Sequence, residues 1–226
     1  MHKIREKPQE WAYCGSPYGD IYDVIIPAPP SGPVRLDIIK NYRAFFMNGD
    51  FDPDQPLANR LIEYVHGGGT LIINTRQLGK FFPDSFLGVR LTGKTLPVAK
   101  DIFSASGENL FSLQRPYEFD QIELISGKAI LKDSLGNIMA STHNYGAGRV
   151  ILTTPCMLIH QAAPAGIAQH APWPEFPFIN WILDNLVQDL VPVAFDRKDM
   201  QFGLNILKDG WLLYLFNNEG VHKTAT

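Results

Sequence analysis

Two hydrophobic periodicities succeed one another early in the chain. Over residues 54–66, "DQPLANRLIEYVH", the apolar residues Leu57, Leu61, Ile62 and Val65 recur at helical spacing, with Asp54 at the N-cap and Pro56 in the first turn. The run that follows, "TLIIN" within 69–74, is continuously apolar and bounded by turn residues, the pattern of a strand buried on both faces. The same reading places a strand at 21–27 ("IYDVIIP"), ended by the proline-rich "PAPPSGP", then a turn of helix over "VRLDIIKNY" and a second buried strand from Ala44 to Met47. This strand–helix alternation predicts an α/β fold: a flavodoxin-like, mostly parallel sheet with helices on both faces.

Beyond residue 88 the period changes. "QIELISGKAILKDSLGNIMASTHNYGAGRVILTT" alternates short β-rich runs with the turns "SG", "DSLGN" and "YGAG", which predicts antiparallel hairpins. A long Pro- and Ala-rich loop, 161–177, precedes a helix over "FINWILDNLVQDL", where Phe178, Ile179, Ile182, Leu183, Leu186 and Leu190 form an apolar face. After Pro192 the pattern is all-β: "PVAFD", "QFGLNIL" and "GWLLYLFNN", with "KDG" as a hairpin turn. These runs divide the chain into an α/β domain, 1–192, and a C-terminal segment, 193–226, that is an incomplete β-sandwich or a set of extra edge strands. Two or three strands are too few for an independent sheet domain. The expectation is a fragment of a larger polypeptide, or a truncated gene product, that lacks its next domain.

The three glycines in "LIEYVHGGGTLIIN" pose the question of a phosphate-binding loop. Such a loop runs strand, glycines, helix, because the backbone N–H groups of a helix N-terminus hold the phosphate. Here the order is helix, glycines, strand, so the glycines end a helix and Gly67 is expected in the left-handed position past its C-terminus.

Composition narrows the partners. A formal net charge of -3, with no Lys/Arg cluster interleaved with aromatics, argues against nucleic acid. No stretch reaches the roughly 18 apolar residues of a membrane helix, and "MHKIREKPQEW" lacks the apolar core of a signal peptide; the compartment is not legible. Cys14 and Cys156 are far apart and form no C-x-x-C, which excludes a disulfide scaffold and a zinc ribbon and leaves a single bridge open.

Taken together, "PYGDIYDVI", "NYRAFFMNGDF", "LIEYVHGGGTLIIN", "FLGVRLTG", "YGAGRVILTTP" and "FINWILDNLVQDLVPV" resemble the class I glutamine-amidotransferase-like domain of multidomain glycosidases, of which the β-galactosidase trimerisation domain is a relative. The tail "GWLLYLFNNEGVHK" resembles the start of the β-sandwich that follows such domains. The resemblance implies a non-catalytic accessory or oligomerisation module whose partners are neighbouring domains or further copies of the chain. A working amidotransferase of this fold carries its nucleophile in a G-x-C-x-G elbow. In this sequence "TLIIN" is followed by Thr75, Arg76, Gln77 and Leu78, with no cysteine and no glycine pair, so glutaminase activity is not expected. Asp20, Asp23, Asp50, Asp52, Asp54 and Glu175 are carboxylate candidates by type, of which Asp20 and Asp23 read as strand-entry and turn residues and Asp52 and Asp54 as turn and cap. With no barrel pattern in this sequence to hold a glycosidase pair, the pair is expected upstream of Met1 if the parent is a glycosidase.

Other chemistry remains open. Cys156 and His160, four residues apart, are a candidate thiol–imidazole pair for a stand-alone cysteine hydrolase, although no Asn or Asp is evidently placed to orient the imidazole. The crevice at the carboxyl ends of the parallel strands is a candidate carbohydrate site, lined by Asn48, Gly49, Asp50, Asn74, Arg76, Gln77 and Cys156. Trp173, on a proline-rich loop with Phe176, could stack on a sugar ring or anchor a subunit contact. His66, His143, His160 and His170 show no dense metal-ligand spacing, and neither a metal nor a cofactor is expected. His66 reads as a residue of the last helical turn, where positive charge is favoured.

Overall fold

The computed structural model describes residues 35–47, 53–113, 117–156, 178, 181–187, 190 and 201–216. The expected strand at 21–27, the loop 161–177 and Cys14 lie outside these residues. The chain divides into two units, Ile26–Ala163, and Met1–Ile25 with Pro164–Thr226.

In the first unit a single turn of helix, α1 (Leu36–Ile39), leads into β1 (Ala44–Phe46). Helix α2 (Gln55–His66) starts where the Asp54 carboxylate accepts the Leu57 amide at 2.8 Å. It buries Leu57, Ala58, Leu61, Tyr64 and Val65, a stripe at helical spacing. Ile62 is only half-buried, and Tyr64 takes the inward position because its hydroxyl finds the Tyr42 carbonyl at 2.9 Å. β2 (Thr70–Asn74) follows, buried at all five positions.

The helix-to-strand reading of the glycines holds, with one correction. Gly67 has φ −79°, and the positive φ, +114°, falls on Gly68. Gly67 continues the right-handed turn because its N–H still reaches the Glu63 carbonyl at 3.0 Å, so the reversal comes one residue later. Gly69 and Gly148 have a packing role: a Cβ on Gly148 would lie 2.2 Å from the Val65 carbonyl oxygen and 2.3 Å from that of Gly69. The "HGGG" and "YGAG" turns therefore touch backbone to backbone, closed by Ala147 N–H to the His66 carbonyl and Arg149 N–H to the Gly69 carbonyl.

After α3 (Asp84–Leu87) come β3 (Val89–Pro97), β4 (Asp101–Ser104), β5 (Asn109–Ser112), β6 (Glu118–Leu124), β7 (Lys128–Asp133), β8 (Ile138–Tyr145) and β9 (Gly148–Thr153). Seven strands form one sheet in the order β1-β2-β9-β8-β7-β4-β5. β1 and β9 flank β2 in parallel, whereas β8 pairs antiparallel with β9 and β7, and β4 with β7 and β5. The described sheet is therefore mixed, with fewer parallel pairs than the sequence pattern predicts. Among the described residues the α/β alternation covers the β1–α2–β2 stretch, and hairpins after residue 88 widen the same sheet.

β6 is the second departure. Sequence alternation predicts a hairpin across "SG", but β6 leaves the large sheet and pairs antiparallel with β3 as a separate two-stranded ribbon. The reason is local: the amides of Ile125, Ser126 and Gly127 all converge on the Gly88 carbonyl, at 3.0, 3.1 and 2.8 Å, so the chain wraps around that oxygen instead of folding back on itself. The "DSLGN" turn is organised by Asp133, 2% exposed, whose carboxylate accepts the amides of Ala99, Leu135 and Asn137 and the Asn137 side chain.

In the second unit Phe178, Trp181 and Ile182 are helical and continue into a π-type turn, Leu183–Val187; of the predicted apolar face Phe178 and Ile182 are buried and Leu186 and Leu190 half-buried. β10 (Gln201–Leu207) and β11 (Gly210–Phe216) form the expected hairpin across Lys208 and Asp209. Its second strand exposes Trp211, Leu212, Leu213, Tyr214 and Leu215, each between 39% and 53% accessible. Consecutive strand residues point to opposite faces, so β11 presents exposed apolar residues on both of its faces. No helix among the described residues is long and apolar enough to cross a membrane.

Candidate functional site

Parallel strands carry their carboxyl ends to one edge of a sheet, which is where such folds form crevices. Here the relevant ends are those of β2, at Asn74, and β9, at Thr153. Asn74 closes the gap between them: its side-chain amide donates to Thr153 Oγ1 and to the Pro155 carbonyl, both at 2.9 Å. Its Oδ1 accepts the Arg76 amide at 3.0 Å, and its own N–H is accepted by Gln77 Oε1 at 3.0 Å. Asn74 and Gln77 thus cap the short 3₁₀ turn Thr75–Gln77 reciprocally. Both are buried, at 2% and 0% exposure, so among the crevice candidates they are committed to the turn.

Arg76 and Cys156 meet. The guanidinium, 41% exposed in its side chain, pairs through Nε with Asp120 Oδ2 at 2.8 Å and donates through Nη2 to Thr95 Oγ1 at 3.2 Å. Partial burial works against its charge, and neighbouring Cys156 and Asp120 more than offset this, so its pKa rises. Asp120 comes from β6 and completes the cluster by accepting the hydroxyls of Thr75 and Thr95, each at 2.9 Å. The ion pair alone contributes about 1 kcal/mol or less at this exposure. The hydroxyl donors to a largely buried carboxylate matter more, at roughly 1.5–3 kcal/mol each in comparable settings.

Cys156 is a free, half-buried thiol. Burial pushes its pKa up, neighbouring Arg76 pulls it down, and the charges of Asp120 and Glu118 push it up again, with a net rise. A thiol so placed is mostly protonated at neutral pH, the opposite of an activated nucleophile. His160, Asn48, Gly49, Asp50 and Trp173 lie outside the described residues. Of the remaining histidines, exposed His66 sets its ring edge against Tyr145 with centroids 5.9 Å apart, and half-buried His143 reaches the Ser85 carbonyl at 3.2 Å. Among the described residues no group of three or more His, Cys, Asp or Glu is placed to hold a metal ion.

The sequence did not disclose Asp120, Thr95 and Thr75 as parts of this cluster. Asp120 is 45 residues from Thr75 and sits in "YEFDQIEL", where it reads as the polar phase of an alternating strand. Only the departure of β6 into the ribbon with β3 brings it over the end of β2.

Three solved structures are similar to this chain over part of their length, and the first two share its fold. The β-galactosidase from Bacillus circulans sp. alkalophilus is 13% identical, with a TM-score of 0.52 over 78% of this chain and 27% of that one. The β-galactosidase from Rahnella sp. R3 is 14% identical, with a TM-score of 0.51 over 79% of this chain and 28% of that one. A GH42 β-galactosidase from G. stearothermophilus is 14% identical, with a TM-score of 0.47 over 74% of this chain and 25% of that one. The chain therefore spans about a quarter of the length of each. No family model matches the sequence, and none of the curated proteins compared with it does.

Proposed function

We propose that this chain is a non-catalytic accessory or oligomerisation module within a carbohydrate-active, glycosidase-like protein. The proposal extends to an amidotransferase-like, flavodoxin-like domain over 1–192 with helices on both sides of its sheet, followed from 193 by the beginning of a β-sandwich. The observation that carries it is the turn after β2. Where the resemblance calls for a nucleophile, the chain has Thr75-Arg76-Gln77, tied down by Asn74, Gln77 and Asp120, and the nearby thiol of Cys156 is held in its protonated state. The fold shared with part of two β-galactosidase chains supports the glycosidase context. Function of this kind lives in surfaces that join domains or copies, not in a reacting group.

The test is a set of assays on the purified chain. Ammonia release from glutamine and hydrolysis of a chromogenic β-galactoside should both be absent, and sedimentation velocity should show self-association that rises with concentration. Turnover in either assay overturns the non-catalytic reading. A strict monomer that binds galactose or galacto-oligosaccharides in a calorimetric titration would replace the oligomerisation role with that of a sugar-binding module.

A further inference from the structure

The β3–β6 ribbon is held unevenly along its length. At the Val89 end it is anchored by burial and by the three amides that converge on the Gly88 carbonyl. β6 continues to bury Phe119 and Ile122, so this strand is fixed to the body of the unit. β3 differs: after Val89 none of its side chains is buried. Its pairing with β6 is interrupted between Leu91 and Thr95, where Gly93 takes φ +76° and a Cβ would meet no neighbouring atom. Such a bulge bends a strand and re-aims the residues beyond it.

Beyond the bulge the side-chain ties of β3 to the carboxyl end of β2 are polar and converge on one carboxylate. Thr95 donates to Asp120 Oδ1 and accepts from Arg76, while Arg76 and Thr75 both bind Asp120 Oδ2. We propose that the outer half of β3, residues 92–97, is a strap over the carboxyl end of β2, hinged at the Gly93 bulge and latched by Asp120 through Thr95 and Arg76. Released, the strap frays from β6 and bares Arg76 and the Asp120 carboxylate, the polar groups next to Cys156, while β2, β8 and β9 stay folded. The device concerns local opening and stands independently of the accessory role.

Hydrogen exchange read by peptide mass spectrometry tests it on the full chain, comparing wild type with Asp120→Asn and with Thr95→Val. Thr95 is exposed, so the second substitution keeps the β-branched shape and removes only the hydroxyl. Each variant should raise exchange over 92–97 by roughly tenfold or more, the scale set by losing one hydrogen bond to a charged group. Exchange over β2 and β9 should match wild type. As a second readout, Cys156 should react faster with a small maleimide in Asp120→Asn. Unchanged protection over 92–97 in Thr95→Val overturns the latch. So does an equal loss of protection in β2, β8 and β9, which would make Asp120 a residue of global stability.

Discussion

Asp133 and Tyr64 show how single buried polar groups are kept by their partners. The Asp133 carboxylate gathers three backbone amides and one side-chain amide and has almost no contact with water. Replacing it by alanine strands those donors, so Asp133→Ala should cost about 3 kcal/mol, read as a lower urea midpoint at unchanged slope. Asp133→Asn keeps part of the acceptor set and should cost less. Tyr64 is 3% exposed, and burial pushes its phenol pKa up to about 12. The folded state then holds the proton to higher pH than the unfolded chain, whose phenol titrates near 10. Its contribution is complete below pH 10 and is lost as pH rises from about 10 to about 12. Tyr64→Phe should lower stability at pH 8 by about 1 kcal/mol for the lost hydrogen bond, yet its stability should fall less steeply above pH 10 than that of wild type. Parallel urea titrations at the two pH values measure the difference.

Among the elements, the meeting of the "HGGG" and "YGAG" turns sets how α2 sits on the sheet. A methyl group at Gly148 would collide with two backbone oxygens, neither able to swing aside. Gly148→Ala should therefore cost at least about 2 kcal/mol, whereas alanine at Gly136, where a Cβ meets open space, should cost only the strain of φ +83°, about 1 kcal/mol. Thermal melts of the two variants order them. These turns were legible in the sequence as punctuation, because glycine after a periodic helix and before an apolar run has few other meanings. So were α2 with its Asp54 cap, the all-buried β2 and the β10–β11 hairpin, each set by a local pattern. The fate of β6 was not legible. Whether "EFDQIEL" joins the strand after it or the earlier strand β3 is decided by the Gly88 carbonyl, and no periodicity encodes that contact. The candidate site follows the same rule. Arg76 and Cys156 were visible as types near strand ends, while Asp120, which ties Arg76 to the ribbon, arrived through tertiary structure.

For the whole molecule, the second unit offers the clearest handle. Five successive exposed apolar residues lie on both faces of β11, a surface that soluble domains rarely leave bare. Replacing Trp211 and Leu213, which share one face, by lysine should reduce binding of a hydrophobic dye and weaken any self-association seen by sedimentation. Unchanged sedimentation would assign association to another surface. The order of the large sheet carries a different consequence, one of timing. β2 lies between β1, which precedes it closely, and β9, whose Arg149 is 79 residues after Thr70. At ordinary ribosomal speeds of 5–20 residues per second, β2 emerges on the order of 4–16 s before its second neighbour has been made. For that interval a strand destined for burial at all five positions has one edge open on the nascent chain, so the yield of folded protein depends on how well that edge is shielded during synthesis.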